Sequence, residues 1–587
     1  MGKGGRKGIS LFSRGGAKEW RHVRPEIALL SLLVVLSACA APAPRSSTQA
    51  ASQSSAPSNS TKRIVAATKN QPSFLYYKLH PGPTAGAEEI GDLVSSGLVI
   101  ADDQGLLRPL LGEAVPSLDN GMWRVFPDGT MQTTLKIRPE AVWHDGTPLT
   151  SDDLAFTVGL AQDRELTVFR HVGFDSVERV EATDTRTLVV HWKRPYIEAD
   201  ALFSTRFALP LPKHLLAQAY ADSKDTFLDH PYWTDAFVGT GPFKLRQFTR
   251  GISVLLDANR AFAPGRPKVD ELEVRFIGDD NTFVANLLSG AVDFTLGRGP
   301  SLEQALLIKE QWSGGVVEFK ALDSWITLYP QFLNPNPATL ANPQLRRALL
   351  QAIDRQEMVE SIQHGQVPVA GGNISPNHPG YREIQNSIVR YAYDPRRAAR
   401  MIEELGYTRA ADGTFRDPTV QPLALEVRGS TVLDILPKAI YAVADYWKQL
   451  GAPTATDVRP TAQLQDLEYG ATFPAFALQR QTGSHRFLPN LRSTQARLPE
   501  RGYTGLNVAR YMNAEMDALI DRYVTTIPIT ERTAVIGEIV HRITDEAIWL
   551  TLFFDTEPAL ISHRLVNVRA RGEDSNHAWN AYDWDVR

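Results

Sequence analysis

Chemistry needs nucleophiles, metal ligands or acid–base pairs at workable spacing, and this chain of 587 residues offers few. It has one cysteine, Cys39, and thirteen histidines. A lone thiol makes no intrachain disulfide and no cysteine-based zinc site. No Gly-x-Ser-x-Gly elbow, His-Glu-x-x-His helix or Gly-Lys-Ser/Thr phosphate loop occurs. The histidines do not pair at i, i+4 on any predicted helix, and each reads as a structural or surface residue before a metal ligand, with His378 and His485, in loop-like stretches, the nearest to exceptions. The most specific carboxylate group is Asp145, Asp152 and Asp153, within Val142–Val158 (VWHDGTPLTSDDLAFTV). Gly146 accepts a positive φ and Asp145 can bond its own backbone, so the pair predicts a tight turn. Thr150 with Asp153 three residues on predicts a capping box at a helix start. These acids build a turn and a cap, so neither a catalytic residue nor a metal site is expected.

Around Cys39 the sequence has a different logic. Seven basic residues precede it against Glu19 and Glu26, and Ile27–Leu36 is an uncharged run. Ten residues are too few to span a bilayer, which takes roughly 20, but they suit a secretory signal. No adjacent Arg pair supports a twin-arginine signal. Leu36-Ser37-Ala38-Cys39 resembles the bacterial lipoprotein box. That resemblance implies a signal peptide over 1–38, cleavage before Cys39, and acyl chains on its thiol and new amino terminus. Residues 40–61 are Ala, Ser, Pro, Gln, Thr and one Asn with a single charge, a composition that cannot offset its ordering entropy. With Cys39 they read as a disordered tether, 39–61, reaching about 26 Å.

Without residues 1–38 the formal charge moves from −4 to −9, which argues against nucleic acid as a partner. Hydrophobic content of 43% with 22% charged residues is ordinary for a globular protein. About 525 folded residues exceed one core, so two to four domains are expected. Arg63–Ala67 reads as a buried strand, Glu88–Leu98 as a helix, and Thr133–Ile137 as an alternating strand. Asn342–Ile353 has Asn at the cap, Pro at the first helical position and an apolar stripe behind them.

The 142–158 stretch resembles the signature of the family 5 extracytoplasmic solute-binding proteins, the oligopeptide, dipeptide and nickel receptors of ABC importers. Further landmarks resemble the family in the same order. They are Gly239-Thr240-Gly241-Pro242-Phe243, Val269–Phe294, Asn342–Ile353, the run from Tyr393 to Tyr407, Asn507–Ile520 and Trp579–Trp584. The resemblance covers nearly all of 63–587. It implies an α/β fold of the type II periplasmic-binding-protein kind, with two hinged lobes and three structural domains. Domain I takes 62–100, 238–315 and 550–587, an inserted domain II takes 101–237, and domain III, the second lobe, takes 316–549. It further implies a monomer without cofactor, anchored to the membrane by lipid, that captures a peptide or small-molecule ligand by lobe closure and delivers it to an ABC transporter permease. A saccharide or metal-chelate receptor within the family, or an extracytoplasmic hydrolase outside it, is the alternative.

Large aromatic faces near the expected cleft make Tyr76, Tyr77, Trp325 and Tyr329 candidate ligand contacts. In peptide-binding members, an Asp in the second lobe pairs with the peptide's amino group. The corresponding run here, Phe476–Leu491 (FALQRQTGSHRFLPNL), puts Arg480 at that position. A guanidinium prefers carboxylates and phosphates, so Arg480 is expected to favour an anionic ligand over a free-amine peptide.

Overall fold

The computed structural model describes residues 61–80, 86–572 and 575–587. The expected signal peptide, Cys39 and residues 40–60 of the tether lie outside them. Among the described residues, no helix is long and apolar enough to cross a membrane.

Strand Arg63–Thr68 sits inside a seven-stranded sheet whose order is 315–318, 559–562, 294–295, 63–68, 271–276, 253–258 and 243–249. It runs parallel to both neighbours, Glu271–Phe276 and Phe294–Thr295. Ile64, Ala66 and Ala67 are fully buried, as a strand covered on both faces requires. A four-stranded antiparallel sheet, 123–125, 131–136, 187–192 and 177–184, is inserted between its segments. There Met131, Thr133 and Leu135 alternate inward.

A third sheet has the order 454–459, 425–430, 476–482, 321–330 and 550–556. Its first three strands are parallel, and its last three pair antiparallel. Val316 and Val317 pair with Ile561 and Leu560 in the seven-stranded sheet. Leu550 pairs with Leu328 in the third. The chain therefore passes between these sheets at 318–321 and at 556–559, two crossovers lying side by side, whereas the landmarks suggested 315–316 and 549–550.

Local chemistry explains the signature stretch. Gly146 has φ +92°, and Asp145 accepts from Thr147 N at 2.9 Å. The capping box of Thr150 and Asp153 starts helix Ser151–Gln162. Asp153 is buried and also takes bonds from Lys213 N (2.9 Å) and Trp143 Nε1 (3.3 Å). The carboxylate is thus a joint between three segments.

The predicted helix at 88–98 forms as Ala87–Val94 and stops early, because Ser95 is extended and Ser96 is claimed by Thr240. Thr240 Oγ1 accepts from Ser96 N (2.9 Å) and donates to Ser96 O (2.8 Å). Gly239 and Gly241 allow this approach. A Cβ on either would lie 1.9 Å from Val94 O or 2.5 Å from Ser95 N.

Helix Pro343–Gln351 is capped by Asn342, which accepts from Gln344 N at 2.9 Å. Its Arg346 is buried and donates to the carbonyls of Leu340, Ala341, Glu546 and Ala547. Five fixed donors suit a site made of several backbone acceptors.

Candidate functional site

A cavity of about 1400 Å³ lies between the seven-stranded and the third sheet. The sides touch around it. Ile197 N donates to Val524 O at 3.2 Å, Glu198 lies 3.9 Å from Arg486, and Glu303 pairs with Lys438. Among the described residues, eleven Lys and Arg side chains line the cavity against seven Asp and Glu. Acids just behind the wall meet much of that charge, Asp555 for Arg298 and Arg480, Glu426 for Arg428 and Asp521 for Arg492.

Two of the five residues expected from sequence line it, Tyr77 and Arg480. Tyr77 donates its hydroxyl to Thr205 O, and Glu88 stands beside it on the wall, exposed within the cleft. The surrounding cleft walls desolvate it, and this and then Glu89 raise the Glu88 pKa above the usual carboxylate value.

The other three are core residues. Tyr76 packs between Phe169 and Trp233, at ring distances of 6.1 and 5.9 Å, and donates to Leu209 O. Trp325 and Tyr329, even-spaced along strand Ala321–Pro330, share one face of their sheet and meet Trp549, with Phe487 also against Trp325. Both are at most 1% exposed. The sheet is covered on both faces, so alternation alone could not say which face was the cleft.

Arg480, the register partner of Ile326, lies on the opposite face, and its charge is already partnered. Its Nε donates to Asp555 at 2.6 Å and its Nη2 to Ser324 Oγ at 2.9 Å. Asp555 is 1% exposed and also takes Arg298 Nη1 at 3.3 Å from the other side of the cleft. Burial would raise the Asp555 pKa, but Arg298 and Arg480 outweigh it and hold the carboxyl below its ordinary range. Nearby, Glu557 lies 3.6 Å from Arg571, which also approaches Asp323 at 4.0 Å. These ionic groups sit at the crossovers, where segments of both sides meet. Sequence reading missed them, although Asp555 and Glu557 follow the buried run Leu550–Phe554, where carboxylates are out of place without partners.

His378 and His485 pack edge to face at 4.5 Å. Burial, then His378 and Arg486, hold His485 well below the usual imidazole value. No group of three or more metal-ligating side chains occurs among the described residues.

Two α/β sheets joined by adjacent crossovers, with a polar cavity between them, define a two-lobed ligand-binding fold. Residues 113–494 match the family described as "Bacterial extracellular solute-binding proteins, family 5 Middle", and the chain belongs to that family. A Brucella ovis protein, named as a candidate ABC transporter peptide-binding protein, is 29% identical over 315 residues, 53% of this chain and 54% of its own length. The chain thus spans about half the length of the first such curated relatives. The oligopeptide-binding protein AppA of Bacillus subtilis is 23% identical over 504 residues, covering 84% of this chain and 86% of AppA. The crystal structure of a periplasmic oligopeptide-binding protein from Thermotoga maritima superposes with a TM-score of 0.75 at 19% identity, covering 90% of this chain and 99% of that one. That likeness is one of fold.

Proposed function

We propose that this chain is the extracytoplasmic receptor of an ABC importer, acting as a monomer without catalysis. It captures a peptide-like or other small organic solute between its lobes and presents the closed form to a permease. The observation that carries this is the 1400 Å³ cavity, walled from both sides of a double crossover and bridged at its edges. The lobes divide at the crossovers, with 321–556 as the second lobe and the four-stranded insert in the first. A ligand drives closure only through contacts that both lobes make at once.

Native mass spectrometry of protein purified without denaturation should reveal one retained solute. Saturating that solute at 100 times its Kd should stabilise the fold by about 2.7 kcal/mol. Small-angle scattering should show contraction on binding, and an unchanged radius of gyration at saturation would overturn lobe closure. Turnover of a peptide or ester by the purified protein would favour a hydrolase instead.

Anchoring rests on Cys39, in Leu-Ser-Ala-Cys after the apolar run. Two acyl chains or more hold a protein stably, at about 0.8 kcal/mol per buried CH₂. Cys39→Ser should leave unprocessed precursor or released protein. Normal processing with carbonate-resistant membrane association would reject the lipid anchor.

A further inference from the structure

The two sides of the cavity meet at rims that are built differently. At one rim Glu303 and Lys438 form an ion pair whose side chains are 38% and 43% exposed. Such exposed pairs do little to hold two surfaces together, and less in salt. At the other, residues 194–198 of the first lobe meet the end of helix Ala514–Thr525 of the second.

Local chemistry prepares this second rim. Pro195 has no N–H and keeps Arg194 before it extended, so the segment leaves strand Thr187–Trp192 without joining another. Val524 O is one of the last carbonyls of its helix, which have no intrahelical donor. Ile197 N supplies a donor from the opposite lobe at 3.2 Å. Tyr196 and Ile197 belong to one apolar cluster with Tyr523 and Val524, and all four are at most 8% exposed. Asp521 adds charge, held by Arg492 of its own lobe at 2.8 Å and approached by Arg194 of the other at 3.8 Å. A buried apolar contact around a backbone hydrogen bond holds two surfaces more firmly than an exposed ion pair does.

We propose that the rim of 194–198 against 521–524 is a latch, which stabilises the closed form through protein contacts and so sets the closed fraction independently of what the solute touches. The inference rests on the receptor reading above and names how its closure is regulated. A ligand that needs the closed form binds more weakly in proportion to the molecules that stand open. Loosening the latch therefore raises every Kd by one common factor. Changing a residue that touches the solute alters affinities unevenly instead. The distinction matters because Ile197 and Val524 also line the cavity, whereas Asp521 lies off its wall.

The test compares the wild type with Ile197→Asp, with Asp521→Arg and, at the other rim, with Glu303→Gln. Asp521 is exposed, so its reversal keeps the fold even if Ile197→Asp does not, and far-ultraviolet dichroism checks both. After exhaustive dialysis, small-angle scattering should give a larger radius of gyration for the two latch variants and the wild-type value for Glu303→Gln. In calorimetry with penta-alanine and its C-terminal amide, each latch variant should weaken both peptides by the same factor, about tenfold. A wild-type radius of gyration in folded latch variants overturns the latch. So do affinities that change unequally or not at all, and so does a Glu303→Gln protein that opens as far. If neither peptide binds the wild type, scattering alone upholds or overturns the latch. A wild type that also carries no solute in native mass spectrometry removes the receptor reading, a result separate from the scattering one.

Discussion

Asp555→Asn lowers the stability of the folded body by about 3–5 kcal/mol, the usual cost of breaking a buried ion pair by removing one partner. The carboxylate is 1% exposed and joins Arg480 at 2.6 Å to Arg298 at 3.3 Å. The amide keeps the shape but leaves both guanidiniums without their counter-charge. Chemical denaturation with intact far-ultraviolet dichroism checks the loss.

The same group gives the wild type an acid-sensitive stability. The Asp555 carboxyl is held below its unfolded value by the two arginines. Its contribution is therefore full above about pH 4 and disappears as pH falls through the lower folded value. That slope should be absent in Asp555→Asn. If the substitution leaves stability unchanged, Arg480 is not committed to Asp555, and its charge is available to a ligand as the sequence suggested.

Trp325→Ala should cost about 3–5 kcal/mol, as expected for truncating a large buried aromatic. Trp325 is fully buried, with Phe487 at 5.7 Å and Trp549 at 6.3 Å between ring centres. Trp325→Phe should recover much of the stability by retaining most of the packing. The decisive reading is affinity for the co-purified solute, which Trp325→Phe should leave unchanged because the indole faces the core. A large loss of affinity in a stably folded Trp325→Phe would return this side chain to the cleft.

These two results separate what sequence could and could not determine. Local rules sufficed for the Thr150–Asp153 cap, the Gly146 turn, the Asn342 cap and the buried strand at Arg63, because each depends on residues a few positions apart. The ordered set of motifs was also enough to name the family. Beyond a few residues the reading lost its grip.

Tyr76 and Tyr77 are adjacent, yet one enters the core and the other lines the cavity. Trp325 and Tyr329 have the right spacing for a shared face, but a sheet covered on both sides offers two such faces. Arg480 carries the charge that its position suggested, and only the tertiary structure supplies its buried counter-charge from 75 residues away. Sequence determines chemistry that acts along the chain. Which charges are spent inside the protein and which face the ligand depends on non-local approach, and the fold alone decides it.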